Sequence, residues 1–396
     1  MMSTAVMAFF GFFFWILNAR LFSTEQIGIA TAIISVTTLI ANISLLGQNQ
    51  ALIRFLPKAK NPDTFLNTSL TLVTTMAIVS SISYVLLTPL FSPELSFIRQ
   101  NLLFTLILII TSVGSTLSLL LDAVFIARRT AGYVLLKNTI LSSIKMVLPL
   151  VLVVLGSMGI VTATGGAFLV AIALSFVLLT WKTGYRYIPK IDIHTIREMF
   201  RFSGGNYLAV LVSGLPANIL PIIILNSLGA ESSAFFYMVL MIISLLNIIP
   251  FSAGQSLLAE GSYDNNHLRQ TFIRTIKMVY TIYIPAMLII MLLGPYILLA
   301  FGRDYSVEGI TLLRIMAGAG LFVCINSLSY ALLNVLKKTS FVTLLTSVQA
   351  VLILGLSTAL TDYGLYGIGI SYITGIGITS IAILTVLFYN VRFFKI

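Results

Sequence analysis

The chain has 396 residues, of which 58% are hydrophobic and only 9% charged, against roughly 25% charged in an ordinary soluble domain. So few charges cannot cover the surface of a soluble fold of this length, whereas lipid-facing helices need none. The formal net charge is +11, and the one cysteine, Cys324, lies inside an apolar run, which excludes an intrachain disulfide and a cysteine metal cluster.

Apolar runs of about 20 residues are long enough to cross ~30 Å of hydrocarbon. They predict spans near residues 3–19, 27–47, 65–90, 102–122, 139–157 and 161–181. A second set follows near 206–228, 234–254, 276–300, 310–334, 341–360 and 367–390. The first run is short and spans only marginally. With no basic stretch before it and a second span close behind, it does not read as a cleaved signal peptide. No long connection leaves room for a soluble domain.

Lys and Arg in short loops are retained on the cytoplasmic side. One set of connections holds Arg54, Lys58, Lys60, Arg128, Arg129, Lys137, Lys182, Arg186, Lys190, Arg197, Arg201, Arg269, Arg274, Lys277, Lys337 and Lys338, with Arg392 and Lys395 in the tail. The opposite set holds only Arg20, Arg99 and Arg303. This alternation predicts an even number of spans in the cytoplasmic membrane, with both termini cytoplasmic. It also explains the net charge as topological rather than as a nucleic-acid footprint, which needs an extended basic face. His194 and His267 fall in polar loops and read as solvated. The longest connection, from Lys182 to Gly205, contains a stretch from Ile193 to Phe202 with apolar residues at helical spacing beside basic ones. It reads either as a headgroup-layer segment or as a solvated linker.

The two halves resemble each other. Leu21-Phe22-Ser23-Thr24-Glu25 corresponds to Ser227-Leu228-Gly229-Ala230-Glu231, and Leu46-Gly47-Gln48 to Ala253-Gly254-Gln255. Ala127-Arg128-Arg129-Thr130 corresponds to Leu336-Lys337-Lys338-Thr339, and Met158-Gly159-Ile160 to Tyr363-Gly364-Leu365. Four matches in the same order, six spans apart, predict parallel repeats. The expected fold is an all-α polytopic membrane protein of about 12 transmembrane helices in two parallel six-helix lobes, 1–190 and 191–396, around a central cavity. Transporters of this plan bind substrate near the midplane and rock to alternate access.

Ionisable residues inside spans are functional candidates because lipid penalises them. Asp122 lies near the cytoplasmic end of span four, and Lys145 about two turns into span five from the same side. They read either as an ion pair that neutralises both, or as an anionic-headgroup ligand (Lys145) and a coupling-cation site (Asp122). Arg314 lies one turn into span ten and Arg20 closes span one; each can snorkel to the outer interface. The excess of buried cations favours an anionic substrate over an organic cation. In span seven, Gly214, Pro216 and Pro221 predict a double interruption, a candidate gating element. Gly367-Ile368-Gly369 and Gly375-Ile376-Gly377 read as close helix packing. No phosphate-binding G-x-x-x-x-G-K-[ST] loop is present, and no cofactor or metal is expected.

The run from Leu21 to Gly28, followed by Leu46-Gly47-Gln48-Asn49-Gln50-Ala51-Leu52-Ile53-Arg54-Phe55-Leu56-Pro57-Lys58, resembles the start of the polysaccharide-unit flippases. These are the O-antigen and exopolysaccharide lipid-linked-oligosaccharide translocases of the multidrug/oligosaccharidyl-lipid/polysaccharide exporter superfamily. The resemblance implies two six-helix lobes around a cationic cavity that accepts a pyrophosphate-linked glycan on a polyprenyl carrier. It implies no enzymatic activity and leaves polysaccharide-assembly proteins as candidate partners. Arg20 and Arg54 fall on basic positions of the family's opening pattern; Lys145 and Arg314 rest on the membrane-cost argument alone. Members carry a longer segment before the first span, which leaves the geometry of span one open. The alternative is a cation-coupled multidrug antiporter of the same superfamily, in which an acid is expected in span one; Met1 to Ala19 contains none. An enzyme of glycan assembly would group carboxylates or histidines in a long outer loop, and the outer loops here are short.

Overall fold

A computed structural model describes residues 2–263 and 267–390, with side chains described for 6–200, 207–263 and 267–389. Arg201, Arg392 and Lys395 of the basic tally therefore lie outside the described side chains. The described chain is helical throughout: α1 (Met2–Leu21), α2 (Thr24–Leu45), α3 (Gln48–Phe55), α4 (Pro62–Phe91), α5 (Phe97–Gln100), α6 (Leu102–Ala127), α7 (Ala131–Leu152), α8 (Ser157–Thr183), α9 (Ile193–Leu228), α10 (Ala230–Tyr263), α11 (Leu268–Leu299), α12 (Arg303–Val335), α13 (Thr339–Ala359) and α14 (Gly364–Thr385). Eleven helices among the described residues are long and apolar enough to cross a membrane, and Val6–Leu21 of α1 forms a shorter apolar one. The twelve expected spans all fall on helices. Several helices run further than the apolar runs, as where α7 begins at Ala131 rather than near residue 139. The polar residues Lys137 and Asn138 interrupt the hydropathy there but not the helix.

The chain divides into two compact units. The first runs to Leu211 and takes in Pro221–Ala234; the second comprises Val212–Leu220 and the chain from Phe235 on. In the first, α2 is enclosed by α4, α6 and α8, and buries Ile27, Ala30, Ile33 and Ala41 among others. Its start is fixed by a capping box, in which Ser23 Oγ accepts from Gln26 N while Gln26 Oε1 accepts from Ser23 N. Lipid supplies no hydrophobic drive between helices, so close approach through small residues matters. Gly165 of α8 sits against Thr111 of α6, and Gly375 of α14 against Ile353 of α13, consistent with the packing role expected of the Gly-rich stretch in α14. Buried hydroxyls such as Ser115 and Thr116 return their protons to carbonyls of their own helix, so they carry no unpaired donor into the core.

The internal repeat is visible in the backbone. At the α6–α7 turn, Thr130 N donates to Phe125 O (2.9 Å) and Arg129 N to Ile126 O (3.0 Å), with Arg129 at φ +57°. At the α12–α13 turn, Lys338 N donates to Leu333 O (2.8 Å) and Lys337 N to Asn334 O (3.0 Å), with Lys337 at φ +58°. Both are Schellman closures that place a left-handed residue just past the helix end, here a long basic residue rather than glycine. The next turns match as well: Gly156 (φ +56°) and Gly364 (φ +60°) each follow a single 3-10 turn. One turn further, a Cβ on Gly159 would lie 2.2 Å from Leu152 O, and one on Gly367 2.0 Å from Leu360 O. The correspondence runs Arg129 to Lys337, Gly156 to Gly364 and Gly159 to Gly367, a constant offset of 208 through the second half of each repeat. This corrects the register expected from the sequence, which paired Arg129 with Lys338 and Gly159 with Gly364.

Candidate functional site

Three helices of the first unit, α1, α6 and α7, carry three of the four charged groups predicted inside the membrane: Arg20, Asp122 and Lys145. The α6–α7 turn makes the two helices antiparallel neighbours. Asp122 stands five residues before the end of α6, and Lys137 six residues after the start of α7, so the two meet at one depth. Lys137 Nζ lies 2.7 Å from Asp122 Oδ1 and also donates to Ser118 Oγ (2.8 Å) and Ser118 O (2.9 Å). Asn138 Nδ2 donates to Asp122 Oδ2 at 3.3 Å. The ion pair expected between Asp122 and Lys145 is therefore made with Lys137 instead. Lys145 lies eight residues further along α7, about 12 Å at 1.5 Å per residue, too deep to reach the carboxylate. Lys137 belongs by hydropathy with the loop cations, yet it is fully buried inside α7. Its near-equal distance from the turn with Asp122 is the signal in the sequence that points to the pair.

Lys145 is half-buried and holds its ammonium 4.3 Å from the centroid of the Phe14 ring on α1, a cation–π placement strengthened by exclusion of water. No carboxylate partners it among the described residues. Phe14 also accepts, through its carbonyl, the Asn18 amide (2.7 Å), and Asn18 Oδ1 is buried without a hydrogen-bond partner. Arg20, six residues beyond Phe14 in the last turn of α1, is exposed. Arg54, in the last turn of α3, is exposed with its guanidinium 5.7 Å from the Phe55 ring centroid.

In the second unit, Arg314 of α12 is exposed and its Nε donates to Met291 O of α11 at 3.4 Å. The first turns of α11 carry His267, Arg269, Gln270, Ile273, Arg274 and Lys277, which line a cleft of about 610 Å³. The sequence presents these as loop charges; the helix gathers them. A neutral polar chain also joins α12, α13 and α14. Ser380 Oγ donates to Asn326 Oδ1 (2.8 Å), Thr379 Oγ1 reaches Gln349 Oε1 (3.4 Å), and Tyr330 OH donates to Gln349 Oε1 (3.2 Å). None of these residues is ionised, so a charge-based reading of the sequence passes over them.

Gly214, Pro216 and Pro221 lie within α9, which stays α-helical from Ile193 to Leu228; the expected interruption of the helix does not occur. Asn218 Nδ2 donates to Gly214 O (2.8 Å), and Pro221 O accepts from Ser233 Oγ (3.1 Å). Both acceptors belong to the stretch around the prolines, but the carbonyls that lose a helical donor to Pro216 and Pro221 are those four residues earlier, at Val212 and Ala217. The stretch 212–220, which carries Gly214 and Pro216, is the part of α9 that groups with the second unit. No cluster of three or more His, Cys, Asp or Glu able to hold a metal occurs among the described residues.

The fold is that of the MOP superfamily of transporters. An inward-facing multidrug resistance MATE family transporter of that superfamily superposes with a TM-score of 0.74 at 15% identity, over 96% of this chain and 93% of that one. The lipid II flippase MurJ in an inward closed conformation gives 0.77 at 16% identity, over 98% and 86%. The chain belongs to a family of polysaccharide biosynthesis proteins, whose model matches residues 17–309. A putative O-antigen transporter of Shigella flexneri is 22% identical over 182 residues; that match spans 45% of this chain and 44% of the relative's length.

Proposed function

We propose that the protein translocates a lipid-linked oligosaccharide across the cytoplasmic membrane for cell-surface polysaccharide synthesis, by alternating access of two six-helix lobes, 1–190 and 191–396. Both termini are cytoplasmic in this reading, which rests on the loop charges. The observation that carries it is Lys145: a cation inside a span, held on an aromatic face with no carboxylate partner among the described residues, in a chain of a polysaccharide biosynthesis family. A cation so placed is free to make charge-assisted hydrogen bonds to a diphosphate, while the lipid tail stays in the bilayer. Arg20, Arg54 and Arg314 contribute further positive charge to the headgroup path. Asp122 is occupied by Lys137 in this conformation, so a coupling cation at Asp122 would have to displace that lysine. An ion gradient or the membrane potential supplies the drive, and the Gly214–Pro221 stretch of α9 serves as the gating element.

The test is complementation of a strain lacking its own translocase, with glycan export measured at the cell surface. The wild-type chain restores export. The Lys145→Ala, Arg314→Ala double variant, present at wild-type level in the membrane, loses most of it. Full export by that variant removes the cationic-site mechanism. Failure of the wild-type chain, together with cation-driven dye efflux from proteoliposomes, replaces the reading with a drug antiporter.

A further inference from the structure

Between α8 and α9 the chain runs for nine residues, 184–192, without regular secondary structure, yet it is not loose. Tyr185 OH and Ile188 N both donate to Asn67 Oδ1 of α4, Asp192 N donates to Thr68 Oγ1 (3.2 Å), and Tyr187 OH pairs with Thr71 Oγ1 (3.0 Å). Thr180 Oγ1 donates to Tyr185 O (2.9 Å). Tyr185 itself is buried in the core of the first unit. Asp192 then caps α9 through Thr195 N and Thr195 Oγ1, which holds its carboxyl below the usual range. The first turns of α9 are drawn inward by Met199, also part of that core. The segment is a strap fastened to the N-terminal turns of α4.

The outward side of this strap is amphiphilic. Ile188 (62%), Ile191 (54%) and Ile193 (78%) are exposed, and Arg186, Lys190 and Arg197 are exposed among them with no ion pair to any described residue. Trp181, in the last turn of α8, is also exposed. Helix α4 has 30 residues, about 45 Å of length against ~30 Å of hydrocarbon. Its apolar run begins near residue 65, so Asn67 and Thr68, where the strap is fastened, stand at the boundary between headgroups and hydrocarbon. Water would penalise the exposed isoleucines there and hydrocarbon would penalise the cations. An interface with anionic headgroups satisfies both.

We infer that the 184–197 strap is a docking site for anionic phospholipid headgroups of the adjoining leaflet, its backbone pre-ordered by Asn67, Thr68 and Thr71. Arg186, Lys190 and Arg197 take the phosphates, and Ile188, Ile191 and Ile193 enter the upper acyl region. Because the backbone is already ordered, headgroup capture costs little further entropy. This site is independent of which solute the protein moves.

The test compares melting of the full chain in nanodiscs of phosphatidylcholine alone and with phosphatidylglycerol added. The wild type melts several degrees higher with phosphatidylglycerol. The Arg186→Gln, Lys190→Gln, Arg197→Gln variant loses that increment. A control with Arg269→Gln, Arg274→Gln and Lys277→Gln removes the same number of charges from α11 and keeps it. No increment in the wild type, retention by the strap variant, or equal loss in both variants overturns the proposal. A second readout places Ile191→Trp in a Trp15→Phe, Trp181→Phe background. Quenching by brominated acyl chains is expected; an unquenched reporter assigns the strap to water or to a protein partner and ends the lipid reading.

Discussion

Asp122 and Tyr330 stand 208 residues apart, at the same place in two hairpins with the same closing hydrogen bonds; so do Ser118 and Asn326. In the α6–α7 hairpin those positions hold an ion pair between the buried Lys137 and the partly buried Asp122, with Lys137 also reaching Ser118. In the α12–α13 hairpin the counterpart of Lys137 is Leu345, which is buried, and the polar contacts are neutral and continue into α14. One backbone thus accepts either chemistry. The difference lies in how each responds to loss of one partner. A buried ion pair adds little net stability, but an abandoned charge is strongly unfavourable. A neutral network in lipid re-forms around the loss, since hydroxyls fall back on carbonyls of their own helix.

The largest effect is expected at Lys137. Lys137→Met leaves Asp122 with only the Asn138 amide at 3.3 Å, and removal of one member of a buried pair costs about 3–5 kcal/mol. Asp122 is only partly buried, so this figure is an upper bound, and the variant should melt below the wild type in detergent. Adding Asp122→Leu should return most of the loss, because the abandoned charge goes with it. A Lys137→Met protein that melts like the wild type would show that the pair does not hold the hairpin.

The shared backbone provides a matched control. An alanine at Gly159 or Gly367 would push its Cβ onto a main-chain carbonyl, Leu152 O or Leu360 O. No rotamer change relieves a backbone clash, and overpacking of this kind costs about 1–3 kcal/mol. Gly159→Ala and Gly367→Ala should therefore lower the melting temperature by similar amounts. A large inequality would mean that the two turns are supported differently despite their matching torsions.

The spans are legible because a helix in lipid needs a continuous apolar run, and twelve such runs are present. The repeat is legible for a similar reason: the turns that close its hairpins need Arg129 and Lys337 in the left-handed region, or glycine at 156 and 364, and these leave marks in the sequence. Pairing is not legible. Lys137 looks like a loop cation because hydropathy cannot tell a polar helix end from a loop, and Lys145 then takes its place as Asp122's expected partner. Asn326, Gln349 and Thr379 leave no signal at all, since only the packing of α12, α13 and α14 decides that three neutral side chains converge. Gly214 and the two prolines suggest a break in the sequence, yet α9 runs as one helix from Ile193 to Leu228.

The starts of α2 and α10 extend the comparison. Ser23 begins the first repeat with a capping box, whereas Gly229 occupies the matching place at φ +88° and has no side chain to cap with. Ser23→Ala should cost about 1 kcal/mol, the usual worth of such a cap, read as a small drop in melting temperature. Gln26→Ala should reproduce part of that drop, because Gln26 Oε1 supplies the reciprocal bond. A neutral Ser23→Ala would mean that packing alone fixes the start of α2.

The smallest effect is expected at Asn326, and it bears most directly on the contrast between the hairpins. Asn326→Leu deletes the acceptor of Ser380 Oγ, but that hydroxyl also reaches Ile376 O at 2.9 Å. Thr379 Oγ1 likewise keeps Gly375 O (2.9 Å) and Ile376 O (2.8 Å). Every neighbour retains a partner, so the cost should be about 0.6 kcal/mol, the average for such bonds between membrane helices. Lys137→Met and Asn326→Leu, measured side by side, should differ several-fold although both remove one polar side chain from the interior of a hairpin. Equal losses would mean that the neutral chain of the second unit depends on each of its members as strictly as the ion pair of the first, and that the hydroxyls cannot fall back on their own helices.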